Sequence, residues 1–488
     1  MPISAPEPAQ DGAFLRADIA VLGSGPGGCM TACLLAEAGR DVLLVEEGPH
    51  LSLDSSQAFS REEMVQKYRN GGMTVALGRT KVAYVEGCCV GGGSEINSGL
   101  HHRTPPEVLQ EWREGFQVEA LTEEDLTPHF AACEKDLNVS MMPGAAPIAS
   151  LLLHEGASRL GWKSLEIPRW FAYAPTAQAP GAGIKQSMTQ TLAPRFLQAG
   201  GRLLASTRVL RLRRRSDSWK IDVEQGSPGQ RRRSVLRADK VFVACGSIQT
   251  PALLQRSGLG MKPGRRLHMH PTVKVVARFP QEVNFSGMGV PVHQVKEFSP
   301  GISLGCSISS PPHLALAMLD HPEFAAGAMS AWRHHAIYYA MIRGGRGRVR
   351  SLPLFRDPLV QYKLAEVDLA DLALAMKHLC RCLFAAGAQA LYPSVIGLAP
   401  LTSLNDLDRL PAFLPPDRTN LMTIHLFSSC PLGENREECV ADSFGRVHGE
   451  QKLWLADGSL LPGPPGVNPQ GTILALARRN ACRFLEDS

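Results

Sequence analysis

The sequence predicts an α/β fold in two units, one built on a parallel sheet with an antiparallel meander attached, the other an α+β unit on an antiparallel sheet. Three observations carry the prediction. The short apolar run Asp18 to Leu22 meets a cluster of glycines and is followed by small and apolar residues at helical spacing. Between Gly201 and Ala244 lie short alternating stretches, the pattern of a meander. From about 273 to 417, strand-like pieces such as Val273 to Phe279 and Ile337 to Ile342 share the chain with a long helical stretch, Asp368 to Ala386. At 488 residues, 44% hydrophobic and 20% charged, the chain has enough apolar material for two cores.

Taken in order, Pro2, Pro6, Glu7, Pro8 and Asp11 break up the apolar core that a secretory signal needs, so residues 1–16 are expected as a flexible tail and the protein as cytoplasmic. The run Asp18 to Leu22 suits a strand covered on both faces. Cys29 to Ala38 forms a helix that Gly39 stops, ahead of a second buried strand, Val42 to Val45. This is a βαβ unit. Arg202-Leu203-Leu204, Val209-Leu210, Trp219 to Val223 and Val235-Leu236 make the meander, and Lys240 to Ala244 returns to the parallel sheet. Gly344 to Arg348 reads as a hairpin turn.

The net charge of +5 comes largely from Arg211, Arg213, Arg214 and Arg215 and from Arg231, Arg232 and Arg233, which flank Gly226-Ser227-Pro228-Gly229 as the two faces of a solvated hairpin. No aromatic residues interleave with these charges, so nucleic acid is not an expected partner. Twelve cysteines include Cys88-Cys89 and the spaced pair Cys380 and Cys382, but no CxxC and no zinc-type Cys/His spacing. Neither a disulfide framework nor a metal site is expected. No apolar run is long enough to span a bilayer, so any membrane contact would be peripheral.

Gly23-Ser24-Gly25-Pro26-Gly27-Gly28 contains G-x-G-x-x-G at the junction of the first strand and helix. Gly23 permits the tight turn, Gly25 lets the backbone approach a pyrophosphate, Gly28 lets the helix pack on the strand, and the helix N-terminus faces the phosphate charge. The second strand ends at Glu46, where a carboxylate meets the adenosine ribose and repels a 2′-phosphate, disfavouring NADP. A Rossmann-type dinucleotide site follows, without separating FAD from NAD.

Three later segments make that separation. Gly87-Cys88-Cys89-Val90-Gly91-Gly92-Gly93-Ser94-Glu95-Ile96-Asn97 offers an anion consecutive backbone N–H groups, with side-chain hydrogen bonds from Ser94 and Asn97. Gly246 to Gly260 reads as a strand end, a turn that re-approaches the cofactor and a helix stopped by Gly258. The third runs from His425-Leu426-Phe427-Ser428-Ser429-Cys430-Pro431-Leu432-Gly433 through Leu455-Ala456-Asp457-Gly458-Ser459 to Gly466-Val467-Asn468-Pro469-Gln470-Gly471-Thr472. In these segments the chain resembles the glucose-methanol-choline (GMC) oxidoreductases. The first signature matches through Asn97 and then frays, with His101 where an aromatic or Ala is usual and Trp112 one place late; the second matches at every constrained position. Residues 273–417 match only loosely.

The resemblance implies an FAD-binding domain made of 17–150, 190–272 and 418–488, and a substrate-binding domain made of 151–189 and 273–417. It implies FAD contacts from Gly23, Gly25, Gly28, Glu46, Gly91, Gly92, Ser94, Asn97, Val209, Asp457, Gly458, Asn468 and Pro469. No histidine stands between residues 79 and 93, where some relatives attach FAD covalently, so noncovalent FAD is expected.

The implied catalytic residues are His425 and Asn468, a His/Asn pair similar to that of choline, cholesterol and long-chain alcohol oxidases. His425 would take the hydroxyl proton as hydride leaves for the flavin, and Asn468 would hold the developing alkoxide. The expected partners are a small-molecule alcohol and an electron acceptor, oxygen or a quinone-like carrier. Met318, Phe324, Trp332 and Tyr338-Tyr339, together with likeness to the sterol and long-chain enzymes, point to a hydrophobic alcohol. The alternative is a GMC-fold flavoprotein without net redox, a lyase or decarboxylase. His101-His102 reads as a polar turn, and His268 with His270-Pro271 as a domain-crossing loop.

Overall fold

Ile19, Ala20, Val21 and Leu22 are all buried, as a strand covered on both faces requires, and they lie at the heart of the first sheet. In the computed structural model, which describes residues 15–174, 183–226, 229–260 and 262–487, strand β1 spans Leu15–Leu22, helix α1 Pro26–Glu37 and strand β2 Val42–Val45. β2 runs parallel to β1. β1 thus takes in Leu15 and Arg16, which were expected in the tail; residues 1–14 lie outside the described residues.

The meander differs from its sequence pattern in two respects. Strand β3 (Arg202–Leu204) leaves the antiparallel group and runs parallel to β2 at the sheet's edge. Strands β4 (Thr207–Arg214), β5 (Trp219–Gln225) and β6 (Arg232–Val243) are antiparallel neighbours, and β6 is one continuous strand where the pattern indicated two. Its first half pairs with β5 and its second half runs parallel to β1. Arg237, Asp239 and Lys240 interrupt the apolar pattern without interrupting the backbone ladder. The order is β4–β5–β6–β1–β2–β3, with Leu453–Leu455 also on β6. Arg213 pairs with Asp222 at 2.7 Å, and Arg231 with Glu224 at 3.5 Å, across this partly solvated edge. Ser227 and Pro228 of the connecting turn lie outside the described residues. Helix α2 (Gly246–Arg256) follows β6.

The second sheet is centred on β7 (Thr272–Arg278), with β8 (His293–Val295), β9 (Ile302–Cys306) and β10 (His335–Ile342) ordered antiparallel as β7–β10–β9–β8. Helix α3 (Glu366–Ala385) buries Leu372, Met376, Leu379 and Leu383, one stripe at helical spacing, in the core beneath it. Burying each such side chain stabilises by about 1.5–3 kcal/mol. Asp368 accepts the Ala365 N–H at 2.6 Å and fixes the helix start.

Three short strands of this sheet, Thr74–Ala76, Val82–Tyr84 and Leu421–Thr423, come from stretches grouped by sequence with the FAD-binding unit. Three residues are too few to show a period. A bend falls at Arg343, but the expected turn stops at Gly345, and Arg346–Arg350 is a strand paired with Leu359–Lys363. Among the described residues no helix is long and apolar enough to cross a membrane, and no group of three or more His, Cys, Asp or Glu residues could hold a metal ion.

Candidate active site

One elongated cavity runs from Glu46 and Val209 past the N-terminus of α1 to His425 and Asn468. The glycines that shape it divide the work. Gly23 has φ +103°, and a Cβ there would fall 2.2 Å from the Ala244 carbonyl oxygen; a Cβ on Gly28 would fall 1.9 Å from that of Gly23. These two set the turn and the helix-on-strand packing. A Cβ on Gly25 would meet nothing within 4 Å, because this residue opens on the cavity. Gly92 also lines it, at φ +52°, its would-be Cβ 2.9 Å from the Gly25 Cα. Two glycine loops therefore face one channel with backbone alone, a fit for a pyrophosphate.

Glu46 closes one end. Its Oε2 accepts from the Ser24 N–H and hydroxyl at 3.0 and 2.8 Å, and its Oε1 from the Gly48 N–H at 2.8 Å. Burial raises its pKa, and these bonds oppose the rise. Val209 sits beside it because the Thr207 N–H donates to the Glu46 carbonyl at 2.7 Å. The adjacent Glu47, which the motif did not distinguish, is held by Arg69, Arg208 and Arg356 at 3.0, 3.1 and 3.2 Å.

Gly91 and Ser94 do not line the cavity. The Gly91 N–H donates to Ser24 Oγ at 3.1 Å, while Ser94 Oγ donates to the Gly91 carbonyl at 2.8 Å and accepts the Met188 N–H at 3.0 Å. Ser94 is spent on tying the loop to a distant segment, which no local pattern reveals. Asn97 does line the cavity, accepting the Gly99 N–H at 3.0 Å and donating to Gln470. Asp457 gathers the second and third segments. It accepts from the Gly246 N–H at 2.9 Å, the Thr250 hydroxyl at 2.5 Å and the Ser459 N–H at 2.7 Å. Gly458 lies beside it, and Pro469 caps helix α4 (Gln470–Glu486) against the same cavity.

At the far end His425 Nε2 stands 3.3 Å from Asn468 Nδ2. The strand His268–Met269 pairs with Leu426–Phe427, which brings His270 against His425; these histidines belong to a strand pairing and its end, not to a free crossing loop. The two Nδ1 atoms are 3.0 Å apart and share one proton. On His425, that proton leaves Nε2 free to act as a base. His270 Nε2 also accepts the Gly466 N–H at 3.2 Å, which competes by drawing the proton onto His270. Burial, then the Lys296 charge, lowers the His425 pKa to about 4, and burial holds His270 and His102 well below the usual histidine value. All three are neutral at pH 7.

The second sheet covers this end. Gln294 Nε2 donates to the Tyr339 hydroxyl at 2.8 Å and to Asn468 Oδ1 at 3.3 Å. The apolar residues expected around the substrate lie elsewhere. Met318 and Tyr338 are core, with the Tyr338 hydroxyl bonded to the Ala149 carbonyl; Trp332 packs on the Met318 cluster, and Phe324 is 38% exposed. Of that group only Tyr339 reaches the Asn468 side. The His101-His102 turn also splits in role. His101 is buried on Trp170 and bonded to Glu134 at 2.8 Å, whereas His102 lies close enough to Lys296 to feel its charge and also neighbours His425. Cys88 and Cys89 do not line the cavity.

A glycine-built dinucleotide channel ending at a His/Asn pair under a second sheet defines a class, the two-unit dinucleotide-cofactor oxidoreductases. The family model described as GMC oxidoreductase matches residues 64–272 and 345–477, and a model of an NAD(P)-binding Rossmann-like domain matches 21–76. An uncharacterized GMC-type oxidoreductase of Sinorhizobium fredii is 40% identical over 97% of this chain and 95% of its own. A long-chain-alcohol oxidase of Arabidopsis thaliana is 25% identical over 95% of this chain and 68% of its own. Pyridoxine 4-oxidase from Mesorbium loti superimposes with a TM-score of 0.74 at 19% identity, covering 96% of this chain and 99% of that one, a likeness of fold. The chain belongs to the GMC oxidoreductases, a family of FAD-binding enzymes.

Proposed function

We propose that the protein oxidises an alcohol to the aldehyde or ketone with noncovalently bound FAD, His425 taking the hydroxyl proton. The observation that supports this most is the placement of the His425 and Asn468 side chains 3.3 Å apart at one end of the cofactor channel, with the imidazole neutral. FAD, when bound, supplies the hydride acceptor. Gly25, Gly92 and the N-terminus of α1 would hold its pyrophosphate, Glu46 its ribose, and Asp457 would order the turn beside Gly246. Channel walls of bare glycine backbone, open to the cavity at Gly25, support this assignment.

An alcohol releases hydride only as its hydroxyl proton departs, because charge must build on oxygen first. His425 receives that proton at Nε2 in the tautomer whose Nδ1 proton points to His270, for which His270 gives up the Gly466 N–H bond. Asn468 has Oδ1 engaged by Gln294, so its Nδ2 faces the reacting oxygen and stabilises the developing negative charge. The final electron acceptor would be oxygen or a quinone-like carrier.

The test is an anaerobic absorbance spectrum of wild type and His425→Ala with a panel of alcohols. Bleaching of the flavin band in wild type, slowed at least ~100-fold in the variant, is expected. Bound FAD that stays oxidised with every alcohol would favour a non-redox lyase or decarboxylase, and purified protein without FAD would refute the proposal.

A further inference from the structure

On the sheet face above Asn468, a group of polar side chains gathers. Gln294 of β8 lies opposite Gly305 of β9, which lies opposite Tyr339 of β10. A Cβ on Gly305 would fall 2.3 Å from the Tyr339 hydroxyl, so the missing side chain is what lets that hydroxyl reach Gln294. Ser303 stands two residues along β9 from Gly305, and therefore on the same face about 7 Å away, and Lys296, just past the end of β8, donates from Nζ to Ser303 Oγ at 3.0 Å.

Lys296 is a half-buried ammonium without a counter-charge. Among the described residues no carboxylate pairs with it, and the neighbouring Glu297 carboxylate accepts the Lys163 N–H instead. Burial brings its pKa down to about 7, and its charge reaches His102, His270 and His425, none of which compensates it. Buried Gln294 Oε1 and the ring nitrogens of His102 lie near each other without closing a hydrogen bond of normal geometry. Buried charges and polar groups left in this state are costly unless a ligand completes them.

We propose that Lys296 and Ser303 form a subsite for a carboxylate on the substrate, so that the alcohol oxidised at His425 and Asn468 is a hydroxy acid with its two functional ends several bonds apart. The proposal rests on the alcohol-oxidising reading above and names its substrate class. One ammonium beside one hydroxyl matches a single negative charge, whereas a phosphate dianion would call for a second cation. A carboxylate placed there restores the Lys296 charge and shares the nearby donors.

The experiment compares 4-hydroxybutyrate and 6-hydroxyhexanoate with 1-butanol and 1-hexanol as reductants of the FAD-loaded enzyme, in wild type, Lys296→Met and Lys296→Arg. Calorimetric titration with butyrate and hexanoate, which have no hydroxyl to oxidise, runs alongside. The expected result is a kcat/KM preference for the hydroxy acids that falls by about 30-fold or more in K296M and partly returns in K296R, with carboxylate binding lost in K296M in parallel. Equal use of charged and neutral alcohols by wild type, or a preference that survives in K296M, would overturn the subsite. A loss shared equally by all alcohols would overturn it too, assigning Lys296 to the alkoxide. If no alcohol reduces the flavin, the functional reading fails, and the carboxylate titration alone decides whether the subsite exists.

Discussion

Replacing Glu47 with Gln tests how the adenosine end of the channel is held together. Burial alone would raise this carboxyl, but the charges of Arg69 and Arg208, joined by Arg356, bring it from an ordinary 4.5 down to about 2. At ~1.4 kcal/mol per unit, that difference makes the ionised carboxylate worth about 3 kcal/mol of folding stability. Burial lowers Arg208 despite Glu47, yet a guanidinium keeps its charge, so the carboxylate is the better gauge of the network. Because the folded pKa lies below the unfolded one, the stabilisation is complete above pH ~4.5 and fades as pH falls towards 2. Glu86 and Asp357 remain near Arg69 at 3.5 and 3.6 Å and soften the loss. Urea unfolding followed by tryptophan fluorescence should place E47Q about 2–3 kcal/mol below wild type at pH 7, with the gap narrowing between pH 4.5 and 3. A gap under ~0.5 kcal/mol, or one unchanged across that pH range, would refute the ion-pair account.

With the His425 pKa near 4, kcat/KM should be flat from pH 6 to 8 on the acid side and fall only as pH drops through about 4, since the neutral imidazole is the active form; an acid limb near 6.5 would contradict the burial argument. His270→Phe removes the partner of His425 Nδ1 and should slow flavin reduction about 10-fold or more and move that limb, with His270→Asn recovering part of the loss; an unchanged rate and limb would make His270 merely structural. Ser94→Ala should leave FAD affinity within about twofold but cost ~1 kcal/mol of stability, because the Met188 N–H loses its acceptor. A loss of FAD with stability intact would return Ser94 to the cofactor.

The first strand, helix and glycine turn were legible because each is local: a continuous apolar run, a helical run of small residues, and glycines of which Gly23 and Gly28 stand where a Cβ would strike backbone. Glu46 was legible for the same reason, its distance from the glycines being set by one strand–helix–strand passage. The continuity of β6 was hidden by Arg237, Asp239 and Lys240, whose charges sit at accessible positions of an unbroken ladder. Ser94 had the right residue type beside the right glycines, but its hydroxyl faces Met188.

Residue order by itself determined the two-unit α/β architecture, the dinucleotide channel and the family, because turn glycines, helix starts and buried strands are constraints within a few residues. Only the tertiary structure decided what surrounds His425. His270 arrives through the pairing of two dipeptide strands more than 150 positions apart in the chain. Gln294, Ser303 and Tyr339 share a face only through the register of three antiparallel strands, and Lys296 joins them through its bond to Ser303. The apolar residues that pointed to a hydrophobic substrate went into the core and onto a peripheral helix pair instead, because hydrophobicity records that a side chain is buried and not what it is buried against.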